Sequence, residues 1–102
     1  MSHFLVISRH TAESCPMNNS TTRQIALEAM AALPSLAKKY GVTVIGTWSV
    51  IPEHLIVQVF DAVNLDSVLQ FSMEPALVKW WSFNTSEIKH AMTLEEEFRL
   101  LQ

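Results

Sequence analysis

Cysteine is almost absent from this chain of 102 residues, which contains only one. A single cysteine cannot form an internal disulfide, so the fold does not depend on one, and this agrees with a reducing compartment. Cationic residues are also few: seven lysines and arginines are spread along the chain, and the net charge is −3. No basic patch of the kind that binds phosphate backbones is visible. We therefore expect a cytoplasmic protein with no nucleic-acid partner.

Long hydrophobic runs are missing too. Polar residues interrupt each apolar run well before the roughly 20 residues that a transmembrane helix needs. The N-terminal "MSHFLVISRH" lacks the basic, apolar and cleavage regions of a signal peptide. Repeats, low-complexity tracts and linkers are absent as well, so we expect one domain over residues 1–102 and no membrane partner.

Apolar residues, in contrast, are abundant. They make up 49% of the chain, whereas charged residues make up 17%. This balance excludes a disordered chain, and the apolar content is high for a domain of this size. A small domain leaves much of its apolar surface exposed when it is alone. The composition therefore predicts a sheet covered on one face by helices and on the other by a second copy.

The first half of the chain predicts a strand followed by a helix. Residues 3 to 10, "HFLVISRH", are typical of a central strand. The helix begins near Thr21 and Gln24, which stand at capping-box spacing. Pro34 removes a backbone donor, so we expect a bend or a second short segment there. Gly41 is expected to end the helix in the left-handed conformation.

The second half predicts two strands, a broken helix, a short strand and a last helix. "VTVIGTWSV" and "HLIVQVFD" form antiparallel strands joined by "IPE". The second helix is capped by Asn64 and restarts at Pro75. "SEIKHAM" is the fourth strand, and a capping box at Thr93 begins a C-terminal helix of about two turns.

This order of elements predicts an α+β, ferredoxin-like βαββαβ fold. Right-handed crossovers place the strands in the order 4-1-3-2 and put both long helices on one face of an antiparallel sheet. The other face must be buried by something. A homodimer or higher homo-oligomer is therefore the expected assembly.

Three histidines are expected to meet at one end of that sheet. His10 ends the first strand, His54 begins the third, and His90 is assigned near the beginning of the fourth. Cys15 lies in the loop above them. Neutral imidazole and thiolate together suit zinc, copper, nickel or iron, so a transition metal is a candidate cofactor. The chain has no close-spaced H-x-x-x-H or C-x-x-C pair, and surface histidines with local hydrogen bonds remain the alternative.

Strand alternation adds further candidates for the lining of a pocket. Ser8 shares a face with His10, Gln58 shares one with His54, and Met92 accompanies His90. Buried polar groups without partners cost about 1–3 kcal/mol each. A cavity filled by water or a small-molecule ligand would relieve that cost.

Two adjacent tryptophans form the next candidate. Trp80 and Trp81 point about 100° apart on a helix. One is expected to pack inward, and the other to meet a partner, a cavity or solvent. Alternatively, both tryptophans only pack in the core and in a dimer interface.

The element order, the domain length and the sheet with two apolar faces resemble the dimeric α+β barrel superfamily. That superfamily includes haem-degrading and antibiotic-biosynthesis monooxygenases, muconolactone isomerases and chlorite dismutase relatives. "FLVISRHTAESCP" with "KKYGVTVIGTW" is most similar to its small uncharacterised members. In the haem-degrading relatives a tryptophan, an asparagine and a histidine shape the pocket. Trp80 or Trp81, Asn84 and His90 offer those residue types here, although their order and spacing differ.

Two classes of function follow. The first is a dimeric small-ligand or metal-binding domain, including a monooxygenase-like enzyme in which a histidine accepts a proton from an activatable substrate. Haem binding or degradation is a further alternative within the resemblance. The second class is a non-catalytic oligomerisation module whose polar groups are incidental. Ligand-induced thermal stabilisation separates the two, because a ligand that binds the native form raises its unfolding midpoint.

Overall fold

The computed structural model describes residues 1–102 and contains one antiparallel sheet. Its elements are β1 (Ser2–Arg9), α1 (Ser20–Lys39), β2 (Thr43–Val50), β3 (Leu55–Ala62), α2 (Leu65–Ser72), α3 (Pro75–Ser82), β4 (Thr85–Ala91) and α4 (Leu94–Leu100), with a 3₁₀ turn at Ile51–Glu53. The sheet order is β2-β3-β1-β4. This is the predicted order 4-1-3-2 counted from the opposite edge, so the ferredoxin-like arrangement is confirmed.

The core lies between one face of the sheet and the helices. Because strand side chains alternate, Phe4 and Val6 of β1 share this face with Phe60 and Ala62 of β3. The helices contribute buried residues to the same cluster: Ala29, Leu33, Ala37, Val68, Phe71 and Leu77. Both long helical segments therefore cover one face, as predicted.

Helix α1 differs from its prediction at two points. Its N-cap is Asn19, whose side chain accepts a hydrogen bond from the Thr22 backbone N–H at 3.1 Å, so the expected capping box at Thr21 does not form. The helix is also continuous through Pro34. Pro34 is exposed while its neighbour Leu33 is buried, so packing against the core holds the helix together despite the lost backbone donor.

The other helix ends follow local sequence signals. Gly41 has φ +66° after α1, as predicted. The second helix is divided into α2 and α3, with Pro75 at the beginning of α3. Glu74 accepts hydrogen bonds from Tyr40 Oη at 2.6 Å and Lys39 Nζ at 2.9 Å, which tie the end of α1 to the beginning of α3. These bonds hold the pKa of Glu74 below its ordinary value.

The C-terminal helix α4 is held by polar contacts. It begins at the predicted cap, where Thr93 Oγ1 accepts from the Glu96 backbone N–H, and it has no buried residue. His3 Nε2 lies 2.9 Å from Glu96 Oε1, and His3 Nδ1 lies 2.5 Å from Asp61 Oδ1. Both ring nitrogens thus donate to carboxylates. The hydrogen bond to Asp61 and, to a smaller extent, the one to Glu96 raise the pKa of His3 above 6.5.

We expect α4 to loosen as the pH rises through the raised pKa of His3. A cation favoured in the folded state stabilises it fully below the unfolded pKa of 6.5, and that stability is lost above the folded pKa. At the acid end, the pKa of Glu96 is lowered chiefly by its hydrogen bond with His3, so its contribution fades as the pH falls through that lowered pKa. Hydrogen exchange of the α4 amides against pH measures this window. The variant His3→Gln should show no alkaline loss of protection, and an unchanged alkaline loss in that variant contradicts the mechanism.

The second face of the sheet carries no buried residue. Leu5, Ile7, Val57 and Val59 alternate with the core residues and so point to this side, which we call the open face. Trp48 pairs with Val57 across β2 and β3 and is 53% exposed. Its ring lies across Gly46, where a Cβ atom would collide with the indole. None of the helices has the length and apolar composition that crossing a bilayer requires.

Candidate functional site

A cavity of about 240 Å³ lies between the helices and the helix-covered face of the sheet. Twelve of its 17 lining residues are hydrophobic. Its sheet wall consists of Thr47, Ser49, Ile56, Gln58 and Phe60. The helices and the loop after β1 supply the remainder, namely His10, Cys15, Pro16, Met17, Ala26, Ala29, Met30, Leu33, Phe71, Leu77, Trp80 and Trp81.

Small side chains on α1 leave this space open. Ala26 and Ala29 face the cavity where larger residues would fill it, and Thr47 and Ser49 of β2 remain exposed at its edge. The α1 residues of this wall were not among those predicted for the pocket, whereas Trp80 and Trp81 of α3 were. The sequence signal for this wall was the presence of alanines in an apolar stripe of α1 whose other side chains are large.

Three buried side-chain atoms near this cavity have no hydrogen-bond partner: Gln58 Oε1, Trp81 Nε1 and His54 Nδ1. Gln58 is only 6% exposed, and its amide makes one long bond, from Nε2 to Thr47 Oγ1 at 3.4 Å. Exchanging the two ends of the amide would still leave one end unpaired. Gln58 and Trp81 both line the cavity, so two side chains of its wall each carry a buried polar atom without a partner.

The structure brings together three of the four predicted metal-ligating residues. One candidate ligand atom from each of His10, Cys15 and His54 lies within 4.8 Å of the other two. The His10 backbone N–H donates to the His54 carbonyl at 3.2 Å, and the ring centroids are 5.8 Å apart. Cys15 is only 5% exposed. These groups lie at the end of the sheet where β1 ends and β3 begins.

His54 has an unusual backbone conformation. It follows the 3₁₀ turn with φ 51° and ψ 45°, and it is the one non-glycine residue with positive φ. Histidine in the left-handed region is uncommon, and strained residues cluster at functional sites. The conformation places the His54 carbonyl against the His10 amide.

Asn84 fixes the orientation and the tautomer of His10. Asn84 Nδ2 donates to the Trp80 carbonyl at 2.7 Å, so its Oδ1 faces the other way and accepts from His10 Nδ1–H at 3.0 Å. In the neutral ring, the proton on Nδ1 leaves Nε2 with a free lone pair. Asn84 does not line the cavity itself, and it acts on the site through His10.

His90 and Met92 are not part of this site. β4 begins at Thr85, opposite Arg9, and runs antiparallel to β1, so His90 pairs with Phe4 at the other end of the sheet. Its ring stacks on Phe4 with a centroid separation of 5.0 Å. Met92 follows β4 and is 52% exposed. Assigning His90 to the beginning of the strand was wrong, because five residues precede it in β4.

The other predicted lining residues are divided. Ser8 is buried but satisfied, with its Oγ 2.9 Å from Ser86 Oγ, and it does not line the cavity. Gln58, Trp80 and Trp81 do line it. Both tryptophans reach the cavity although they diverge on the helix, because the space extends along α3.

Comparison with known proteins identifies the fold. No protein-family model and no curated protein matches the chain. The crystal structure of protein Atu4242 from Agrobacterium tumefaciens is 13% identical, covers 90% of this chain and 92% of its own, and has a TM-score of 0.59. An uncharacterized NIPSNAP domain protein from Burkholderia xenovorans is 12% identical, covers 92% and 97%, and has a TM-score of 0.52. The chain is therefore an α+β protein that shares the ferredoxin-like fold of these two structures.

Proposed function

We propose that this protein binds a small organic molecule in the cavity between the helices and the sheet. The observation that carries the proposal is that two side chains in the wall of an apolar cavity, Gln58 and Trp81, each carry a buried polar atom without a partner, Oε1 and Nε1 respectively. Ligand sites are mostly apolar with a few placed polar groups that orient the ligand. The ligand that fits has an apolar body with one donor for Gln58 and one acceptor for Trp81, as hydroxylated aromatic molecules and small aromatic acids have.

The size of the cavity restricts the ligand further. Drug-sized molecules occupy pockets of roughly 300–1,000 Å³. The space here is about 240 Å³, so the ligand is smaller than these, of the size of a substituted single ring. A haem is much larger and would require the walls to separate. The haem-binding alternative therefore fits this cavity less well than a small aromatic molecule does.

A monooxygenase-like reaction is the enzymatic form of the proposal. His10 lines the cavity, and in the tautomer that its hydrogen bond to Asn84 selects, Nε2 carries the lone pair. A histidine so placed can accept a proton from an activatable ligand, and general bases work best with a pKa near the operating pH. If the wild type converts a bound ligand to a product and the variant His10→Ala does not, the protein is an enzyme. If the wild type binds the ligand without converting it, the protein is a binding protein.

We propose that the active assembly is a homodimer joined through the open face. Leu5, Ile7, Val57, Val59 and Trp48 form a continuous apolar surface on the two central strands and β2. Trp48 is exposed and the other four are partly exposed, and a contiguous accessible apolar surface is typical of interaction sites. A second copy of the chain can bind this surface, because in a dimer with a twofold axis the same patch of each subunit packs against the other.

The substitution Gln58→Met tests ligand binding most directly. It keeps the shape of the side chain but removes an unpaired amide, so the free protein is expected to gain about 1–2 kcal/mol of stability. The same variant should lose the thermal stabilisation that small aromatic acids and phenols give the wild type. Differential scanning fluorimetry with and without each compound measures both effects.

Two further variants complete this experiment. Gln70→Met, at an exposed position on α2, should change neither quantity. Trp81→Phe keeps the aromatic ring but removes the donor, and it should weaken the ligand-induced shift. A wild type that responds to no compound, or a Gln58→Met protein that responds as the wild type does, contradicts the proposal.

A further inference from the structure

We propose that His10, Cys15 and His54 form a binding site for one thiophilic metal ion of the Zn²⁺ or Cu⁺ class. Their candidate ligand atoms all lie within 4.8 Å of one another. Around a tetrahedral ion with bonds of about 2.0–2.3 Å, neighbouring ligand atoms stand about 3.3–3.7 Å apart. Small side-chain rotations therefore bring the three atoms to binding distance.

The backbone holds these ligands near each other before any metal arrives. His10 and His54 are joined by the hydrogen bond from the His10 N–H to the His54 carbonyl, 3.2 Å long. Cys15 belongs to the loop that follows β1, and its backbone groups bond to Ala12 and Asn18. A preorganised site loses less conformational freedom on binding, which favours affinity.

The hydrogen bond of His10 also suits a metal ligand. Its Nδ1–H donates to Asn84, and this leaves the Nε2 lone pair free. Histidine ligands in metal sites usually donate their second ring N–H to such a partner, which fixes the ring and raises its basicity. Asn84 is thus a positioning residue for His10, and its own amide is fixed by the Trp80 carbonyl.

His54 supplies two independent observations. Its Nδ1 is buried without a hydrogen-bond partner, a cost that metal binding would relieve. Its backbone is left-handed at φ 51°, a conformation that glycine or asparagine adopts more easily. A histidine is therefore kept at a position where its backbone is unfavourable and its ring nitrogen is unsatisfied. A role for the ring as a metal ligand accounts for both features.

The ligand set selects the metal class. One thiolate and two imidazoles without a carboxylate favour Zn²⁺ and Cu⁺ over the oxygen-seeking Mg²⁺, Ca²⁺ and Mn²⁺. Binding replaces the Cys15 S–H proton with the metal and releases that proton to solvent. His10 and Cys15 also line the cavity, so an ion there would form part of its wall and keep a position open for water or a ligand. The inference does not depend on the proposed ligand binding.

The test uses untagged, reduced, metal-free protein. It is titrated with Zn²⁺, and without oxygen with Cu⁺, in competition with a chromophoric chelator. One equivalent of at least one of these ions should bind, and Cys15→Ser or His10→Gln should weaken that binding at least about 100-fold. Asn84→Ala should weaken it about 10–100-fold, while Asn84→Asp, which keeps the acceptor, should restore most of the affinity. Co²⁺ should show a near-ultraviolet thiolate-to-metal band that is absent in Cys15→Ser.

The controls separate metal binding from folding. His54→Gly and His54→Asn remove the ring but suit the left-handed backbone, so without metal both should melt at or above the wild-type temperature while binding no metal. His90→Ala removes an exposed histidine at the other end of the sheet and should bind as the wild type does. Gln58→Met should also keep its metal affinity, which distinguishes failure of the ligand proposal from failure of this one. Absence of one-to-one binding of both ions, or binding that survives Cys15→Ser, overturns the site.

Discussion

Phe71→Ala is expected to lower the free energy of unfolding by about 3–5 kcal/mol. Phe71 is fully buried on α2 and packs edge-to-face on Phe60, with ring centroids 5.5 Å apart. Its truncation removes the transfer free energy of the ring and the aromatic contact. Because Phe71 also lines the cavity, the lost volume joins an existing space that the backbone does not close.

This loss is a large fraction of the total stability of a small domain, which is about 5–15 kcal/mol. Urea denaturation followed by tryptophan fluorescence and by circular dichroism measures it. Leu69→Ala on the same helix is the matched control, because Leu69 is 43% exposed and should cost less than about 1 kcal/mol. Equal effects of the two substitutions would show that α2 is packed differently.

Val57→Glu is expected to convert the proposed dimer to a monomer. Val57 lies on the open face between Ile7 of β1 and Trp48 of β2. A twofold axis repeats each substitution in both subunits, so the interface would receive two uncompensated carboxylates. Burying such a charge costs several kcal/mol, so the dissociation constant should rise at least about 1,000-fold.

Sedimentation equilibrium measures the mass directly. The wild type should have twice the chain mass of 11.5 kDa, and Val57→Glu should have the mass of one chain. Leu27→Glu places the same charge on an exposed residue of α1, away from the open face, and should leave the dimer intact. A wild type that is monomeric at about 100 μM, a concentration at which even micromolar dimers form, would falsify the proposed assembly. So would a dimer that tolerates Val57→Glu.

The proposed ligand site and the proposed metal site would together account for two polar residues beside the apolar core. Gln58 lies in the middle of β3, and His54 lies immediately before that strand with a positive φ. Each of the two side chains has an unpaired atom, and the two proposals assign a different partner to each.

Local features of the fold were predictable from the sequence. Asn64, Thr93, Gly41 and Pro75 mark helix ends correctly, because caps, left-handed turns and proline act within a few residues. The strand order followed from the sequence of elements and the handedness of crossovers. The cap at Asn19 was missed because several neighbouring polar residues can fill that role, and only the packing of α1 selects one.

The site was partly predictable for the same reason. His10 and His54 flank a junction between adjacent antiparallel strands, so the topology alone brings them to one end. His90 was misplaced because the point where β4 begins depends on its register with β1, and no local signal fixes that register.

By itself, the sequence determined the elements, their order and the meeting of two histidines, since these depend on periodicity, chirality and turn chemistry within short stretches. Only the tertiary structure decided that Cys15, and not His90, joins the two histidines and that the alanines of α1 leave a cavity. It alone also left Gln58 and Trp81 without partners. These features depend on how side chains from distant segments fill a shared volume, and a one-dimensional pattern does not record that filling.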